Sequence, residues 1–159
     1  MKLVYSIDKA VNQILQAVVV IMLSAMSVVV FAQVIFRIAH LSIPWSEELS
    51  KYLLIWSTFL GSALCIRRKS LVGLEFFLNS MTEKNRKILQ TILNLIVCAL
   101  LLFLICVGFW AVGQVRFQIT PVLKQSMGLM YAALPVGSVF MLINEIIVTI
   151  YLWKGEKNA

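Results

Sequence analysis

The sequence predicts an all-α membrane protein with four transmembrane helices, and three observations carry that expectation. Hydrophobic residues make up 61% of the 159 residues and charged residues only 13%, more apolar surface than a water-soluble chain of this length can hide. Four apolar stretches, near 13–36, 47–66, 87–112 and 127–152, each supply the roughly 20 helical residues that cross a hydrocarbon core of about 30 Å. The basic residues then divide by side. Lys2, Lys9, Arg67, Arg68, Lys69, Lys84, Arg86, Lys87, Lys154 and Lys157 fall on one side of four spans, against Arg37, Lys51, Arg116 and Lys124 on the other. The positive-inside rule therefore predicts that both termini are cytoplasmic. The spans use most of the chain, so 1–159 reads as one membrane domain.

The first span carries Gln16, Ser24, Ser27 and Gln33 among Val, Ile, Met and Phe, and closes at Arg37. Its apolar run is too long for a signal-peptide core, and no convincing small-residue cleavage site follows, so it reads as a retained span. A short connection, RIAHLSIP, leads to Pro44, whose missing N–H suits a helix start. His40 lies there with no second His or Cys at ligand spacing, and reads as a solvated interfacial residue rather than a metal ligand. Ser46 is a candidate cap for the second helix, with Glu47 and Glu48 in its first turn. Acids there complement the helix dipole by about 0.3–1 kcal/mol each.

Helical spacing separates those two acids. Glu47 shares a mostly small face with Ser50, Leu54, Ser57, Thr58, Gly61 and Cys65, with Lys51 one turn on. That face includes Ser57-x-x-x-Gly61, a spacing that lets membrane helices approach closely. Glu48 falls with Tyr52, Ile55, Phe59 and Ile66 on a bulky face about 100° away. The expectation is that Glu47 faces the bundle, supported by Lys51 or Arg37, and that Glu48 faces outward toward a partner. Simple dipole capping by both acids is the competing reading.

Between spans two and three, Leu71, Leu74, Leu78 and Met81 recur at helical spacing between basic clusters. This predicts an amphipathic arm lying in the inner interface over about 68–80. Arg67, Arg68, Lys69, Lys84, Arg86 and Lys87 are its candidate phospholipid contacts; the alternative is an ordinary basic loop. Ser80 to Glu83 has capping-box spacing, placing the start of the third helix. Thr120-Pro121 marks an extended break before the last span. Pro135 lies within that span, where membrane helices tolerate proline if neighbours satisfy the freed carbonyl. Glu145 is the most deeply placed acid. It reads either as an intramembrane functional carboxylate or as the partner of Arg67 or Arg68.

Several function classes are disfavoured. The distribution of basic residues is a topology signal and does not suggest nucleic-acid binding. With one histidine, no Gly-rich phosphate loop and no metal-spaced cluster, the chain predicts no enzyme and no cofactor. Cys65, Cys98 and Cys106 form no Cys-x-x-Cys pair and read as reduced packing residues. A self-sufficient, proton-coupled four-helix exporter is a rival, but such exporters use an acid in the first span, which here has none. A general membrane adaptor is a further alternative.

The stretch from Arg37 through Trp45, Glu47, Glu48, Trp56, Gly61 and Arg67 resembles the small membrane subunit of tripartite ATP-independent periplasmic (TRAP) transporters. Thr120, Pro121, Tyr131, Leu134, Pro135 and Gly137 look like that family's second signature. The resemblance covers essentially the whole chain in length, span number and loop pattern. Members often carry a histidine soon after the Arg that ends helix two, where this sequence has Ser70 and Leu71. The resemblance implies a large multi-span permease subunit carrying sodium and substrate sites, and a periplasmic binding protein delivering an organic acid or acidic sugar. The small subunit would then be a scaffold, or stator, for an elevator-type transport domain. Because the chain ends soon after helix four, it is expected to be a separate polypeptide in the bacterial inner membrane. Arg37, Trp45, Glu47, Glu48, Lys51, Trp56, Gly61, Tyr131 and Pro135 become the candidates for partner contact or helix packing.

Overall fold

The computed structural model describes residues 2–41, 43–67 and 83–154. They form α1 (Lys2–Ile38), α2 (Pro44–Arg67), α3 (Glu83–Val115), a short α4 (Met127–Tyr131) and α5 (Ala133–Lys154). Among the described residues there is no strand; one isolated antiparallel bridge joins Ile119 and Ser126. Four segments are long and apolar enough to cross a membrane: Ala10–Ile38, Pro44–Arg67, Ile88–Val115 and Met127–Ile150. The protein is an all-α, four-span membrane protein, as its composition and apolar runs predict. The expected interfacial arm at 68–80, with Arg68 and Lys69, lies outside the described residues, as do the side chains of Lys84 and Lys87. Arg86 is half-buried in the first turns of α3.

The helices form a row one helix thick, in the order α1, α2, α5, α3. Along the backbone, among the described residues, α1 meets only α2, and α3 meets α5 and α4 but neither α1 nor α2. Leu15 and Val19 of α1 pack with Leu60 of α2 in one apolar seam, while Ala63, Leu101 and Met141 join α2, α3 and α5 in another. The row bends at α2, so Asn12 on α1 reaches Asn144 on α5. The two amides exchange hydrogen bonds of 3.2 and 3.1 Å, and Asn144 also donates to the Ala63 carbonyl at 2.7 Å. Lipid chains are as apolar as leucine, so packing and such polar bonds hold membrane helices together, with little hydrophobic drive between them.

Two glycines set the closest helix approaches. A Cβ at Gly137 would lie 2.5 Å from Cβ of Phe59, fixing α5 against α2, and one at Gly108 would lie 2.7 Å from Cδ of Pro135, fixing α3 against α5. Gly61, the glycine of the Ser57-x-x-x-Gly61 spacing, has room: its nearest neighbour would be Cγ1 of Val19 at 3.9 Å.

Local chemistry accounts for the helix ends. α1 closes with His40 in the left-handed region (φ 57°), the Leu41 N–H bonding the Phe36 carbonyl at 2.9 Å and the His40 N–H bonding that of Arg37 at 3.1 Å. These are the two bonds of a Schellman motif. α2 starts at Pro44, ahead of the expected cap at Ser46. Ser46 is already inside the helix, 1% exposed, its Oγ donating to the Ile43 carbonyl at 2.7 Å. The last segment divides at Ala132, because Pro135 has no N–H to offer the Tyr131 carbonyl.

Candidate functional site

The polar groups of α2 gather at the end of the row that carries the α1–α2 turn and the α3–α4 connection. That connection is a tight hairpin. The Thr120 N–H bonds the Gln125 carbonyl at 2.9 Å, the Gln125 N–H bonds Oγ1 of Thr120 at 3.1 Å, and the Met127 N–H bonds the Gln118 carbonyl at 2.8 Å. Lys124 turns the chain at φ 52°. Ser126 caps α4 by accepting from the Gly128 N–H, and its Oγ donates to the Arg116 carbonyl at 2.7 Å. The Arg116 guanidinium stacks 4.5 Å from the Phe117 ring centroid.

Three α2 residues one turn apart hold this hairpin. The Glu48 carboxylate accepts from two consecutive backbone amides, Val122 N–H to Oε1 at 3.1 Å and Leu123 N–H to Oε2 at 2.7 Å. The Tyr52 hydroxyl donates to the Ser126 carbonyl at 3.2 Å, and the Trp56 indole N–H donates to the Leu129 carbonyl at 3.1 Å. Charge-assisted bonds of the kind Glu48 makes are about twice as strong as neutral ones. The spacing of four puts all three side chains on one stripe.

The structure thus places Glu48 differently from the sequence expectation. The bulky face that looked outward is turned onto the chain's own hairpin, and Glu48 is a fastening within the fold. Its partners lie 74 and 75 residues away, a separation that helical periodicity cannot report. Glu47 is exposed. With Gln33, Arg37, His40 and Lys51 it lines a cleft of about 590 Å³ between the α1–α2 turn and the hairpin, which contributes Pro121 and Val122.

Below Glu47 the same α2 face continues through Lys51, Leu54, Thr58, Ser62 and Cys65. All are exposed except the half-buried Ser62. The hydroxyls of Thr58 and Ser62 bond back to the carbonyls of Leu54 and Thr58 at 2.7 and 2.8 Å. The uncovered faces of α3 and α5 are instead bulky, with Ile92, Leu95, Ile96, Phe103 and Trp110 on one and Val139, Ile143, Ile146 and Ile150 on the other. Trp45 and Tyr131 are 46% and 44% exposed, while Pro135 is fully buried against Gly108.

The deep acid also has an amide neighbour. Glu145 is 7% exposed. The Asn94 amide is satisfied when its nitrogen donates to Glu145 Oε1 at 3.1 Å and to the Gln90 carbonyl at 3.0 Å, its oxygen accepting from Thr149 Oγ1 at 2.8 Å. The sequence reading weighed Glu145 as a functional carboxylate or as the partner of Arg67 or Arg68, and did not name Asn94; Arg68 lies outside the described residues. Among the described residues no three His, Cys, Asp or Glu side chains gather as a metal site.

The sequence profile of the family described as "Tripartite ATP-independent periplasmic transporters, DctQ component" matches residues 26–155. The chain belongs to this DctQ family. Its relatives include the sialic acid TRAP transporter permease protein SiaT of Haemophilus influenzae, 31% identical over 119 residues, which are 74% of this chain and 19% of that protein. A putative TRAP transporter small permease protein of H. influenzae is 29% identical over 159 residues, 95% of this chain and 97% of its own length. The sialic acid TRAP transporter small permease protein SiaQ of Vibrio cholerae is 31% identical over 139 residues, 87% of this chain and 80% of its own. The chain therefore spans about a fifth of SiaT but most of both small permease proteins. Membership makes it a multi-pass component of a TRAP transporter, in a family of transporter subunits rather than enzymes.

Proposed function

We propose that this DctQ-family chain is the stationary membrane subunit that holds a large permease subunit in a sodium-coupled importer fed by a periplasmic binding protein. The substrate class is an acidic sugar, in keeping with the names of SiaT and SiaQ. The observation that carries the proposal is the architecture: a row one helix thick, pinned by hydrogen bonds across its helices and carrying an uncovered stripe of small residues on α2. A stripe of small side chains lets a partner helix come close, whereas the bulky faces of α3 and α5 suit lipid. We assign the large subunit to the α2 stripe. Both termini are assigned to the cytoplasm, and the hairpin end to the periplasm, from the excess of basic residues at the terminal end. Membrane phospholipid is assigned to the basic residues from Arg67 to Lys87.

The experiment is co-purification with the large subunit. Thr58→Leu enlarges an exposed residue of the stripe, so this subunit should fold normally while recovery of the large subunit falls at least several-fold. Full recovery with Thr58→Leu would place the large subunit elsewhere.

A further inference from the structure

We propose that the cleft between the α1–α2 turn and the hairpin is a binding site for a zwitterionic phospholipid headgroup, with phosphoethanolamine as the fitting chemistry. Three features of the cleft converge on this.

The first is position. Arg37 lies in the last turn of α1 and Glu47 in the first turn of α2, so the cleft sits where the apolar spans end, at the level of lipid headgroups. Its lining includes the apolar Leu41, Ile43, Pro44 and Val122, of which Leu41 is 57% exposed. A headgroup seated there could run its acyl chains down the exposed Val34 and Ile35 of α1. A soluble ligand would gain nothing from that rim.

The second is charge. The lining includes Arg37 and Lys51 against Glu47 and Glu48, which sum to zero. Glu48 spends its oxygens on the hairpin amides, leaving Glu47 as the carboxylate free to accept new bonds. A guanidinium and an ammonium suit a phosphate, and a free carboxylate suits a primary ammonium. Both signs are thus offered in a cleft of no net charge, matching a headgroup that itself carries one of each. A purely anionic headgroup would leave Glu47 facing its phosphate side with no cation to accept.

The third is volume. At about 590 Å³ the cleft lies within the usual range of small-molecule sites, roughly 300–1,000 Å³. Its walls are fixed by the Schellman turn at His40 on one side and the Glu48-held hairpin on the other.

The test is native mass spectrometry of the full chain released from mild detergent, titrated separately with phosphatidylethanolamine, phosphatidylglycerol and soluble glycerophosphoethanolamine. The expected result is an about two- to fivefold preference for phosphatidylethanolamine over phosphatidylglycerol, the scale of one exposed charge pair, and negligible retention of the soluble headgroup. Glu47→Gln should erase the preference while keeping phosphate binding, and Arg37→Gln should weaken both lipids. Both residues are exposed, so unchanged melting and elution profiles are the control for folding. Equal or greater retention of phosphatidylglycerol would overturn the proposal. So would equal binding of the soluble headgroup, or a preference untouched by both variants. Loss of lipid binding when periplasmic binding protein is added, with no loss in the Arg37 and Glu47 variants, would assign the cleft to protein docking instead.

Discussion

Glu48 and Glu47 are neighbours in sequence with different environments. Replacing Glu48 by Gln keeps one acceptor oxygen but removes the charge and one of two amide partners, leaving a backbone N–H of the hairpin without its bond. Hydrogen bonds to charged groups contribute about 1.5–3 kcal/mol, so Glu48→Gln should lower the thermal midpoint clearly in detergent. Glu47→Gln, on an exposed side chain, should change stability by no more than about 0.5 kcal/mol. Thermal unfolding of the two single variants distinguishes them; equal shifts would mean that both acids act only on the helix dipole. The sequence separated the two residues correctly by face but could not say which face the chain itself would cover. Period 3.6 reports which residues travel together around a helix, and is silent about a hairpin more than seventy positions away.

At the scale of elements, the helices were legible because apolar length and turn chemistry are local. The four spans and the proline break all follow from residues within a turn or two of each effect. Helix contacts were less legible. The Ser57-x-x-x-Gly61 spacing looks like a close-packing motif, yet within the chain Gly61 is uncrowded, and the close approaches fall at Gly108 and Gly137. What makes those glycines necessary is the identity of the opposing atom, Pro135 in one case and Phe59 in the other, and one sequence does not name the opposing atom. Gly137→Ala should therefore force α5 away from α2 and cost about 1–3 kcal/mol, the usual range for overpacking. Because the closest atom is Cβ of Phe59, which alanine would keep, the informative double variant is Gly137→Ala with Phe59→Gly, which should cost less than the sum of its single variants. Thermal unfolding of the single and double variants measures the coupling; strict additivity would show that the two residues do not meet.

For the whole molecule, Glu145 decides between a scaffold and a self-sufficient carrier. With the Asn94 amide turned so that its nitrogen faces Glu145, the carboxylate has a structural task, tying α5 to α3. Glu145→Gln retains an oxygen that can accept from Asn94, so binding-protein-dependent uptake by the assembled transporter should persist within about twofold, an effect of roughly 0.4 kcal/mol. Glu145→Leu removes the acceptor and should destabilise the subunit. Abolished uptake in Glu145→Gln with normal assembly would instead make the carboxylate part of transport. In proteoliposomes this chain alone should give no uptake under a sodium gradient, and any such uptake would overturn the scaffold assignment.

The bent row also has a mechanical meaning. A panel one helix thick has very different stiffness in different directions. Sliding of α2 past the hairpin is opposed by the bonds from Glu48, Tyr52 and Trp56 at one end, and sliding of α1 past α5 by the paired amides of Asn12 and Asn144 at the other. Folding of the panel about the α1–α2 seam is opposed both by the side-chain contacts of Leu15, Val19 and Leu60 and by the Asn12–Asn144 amide pair. Such a body resists sliding of its helices along their axes.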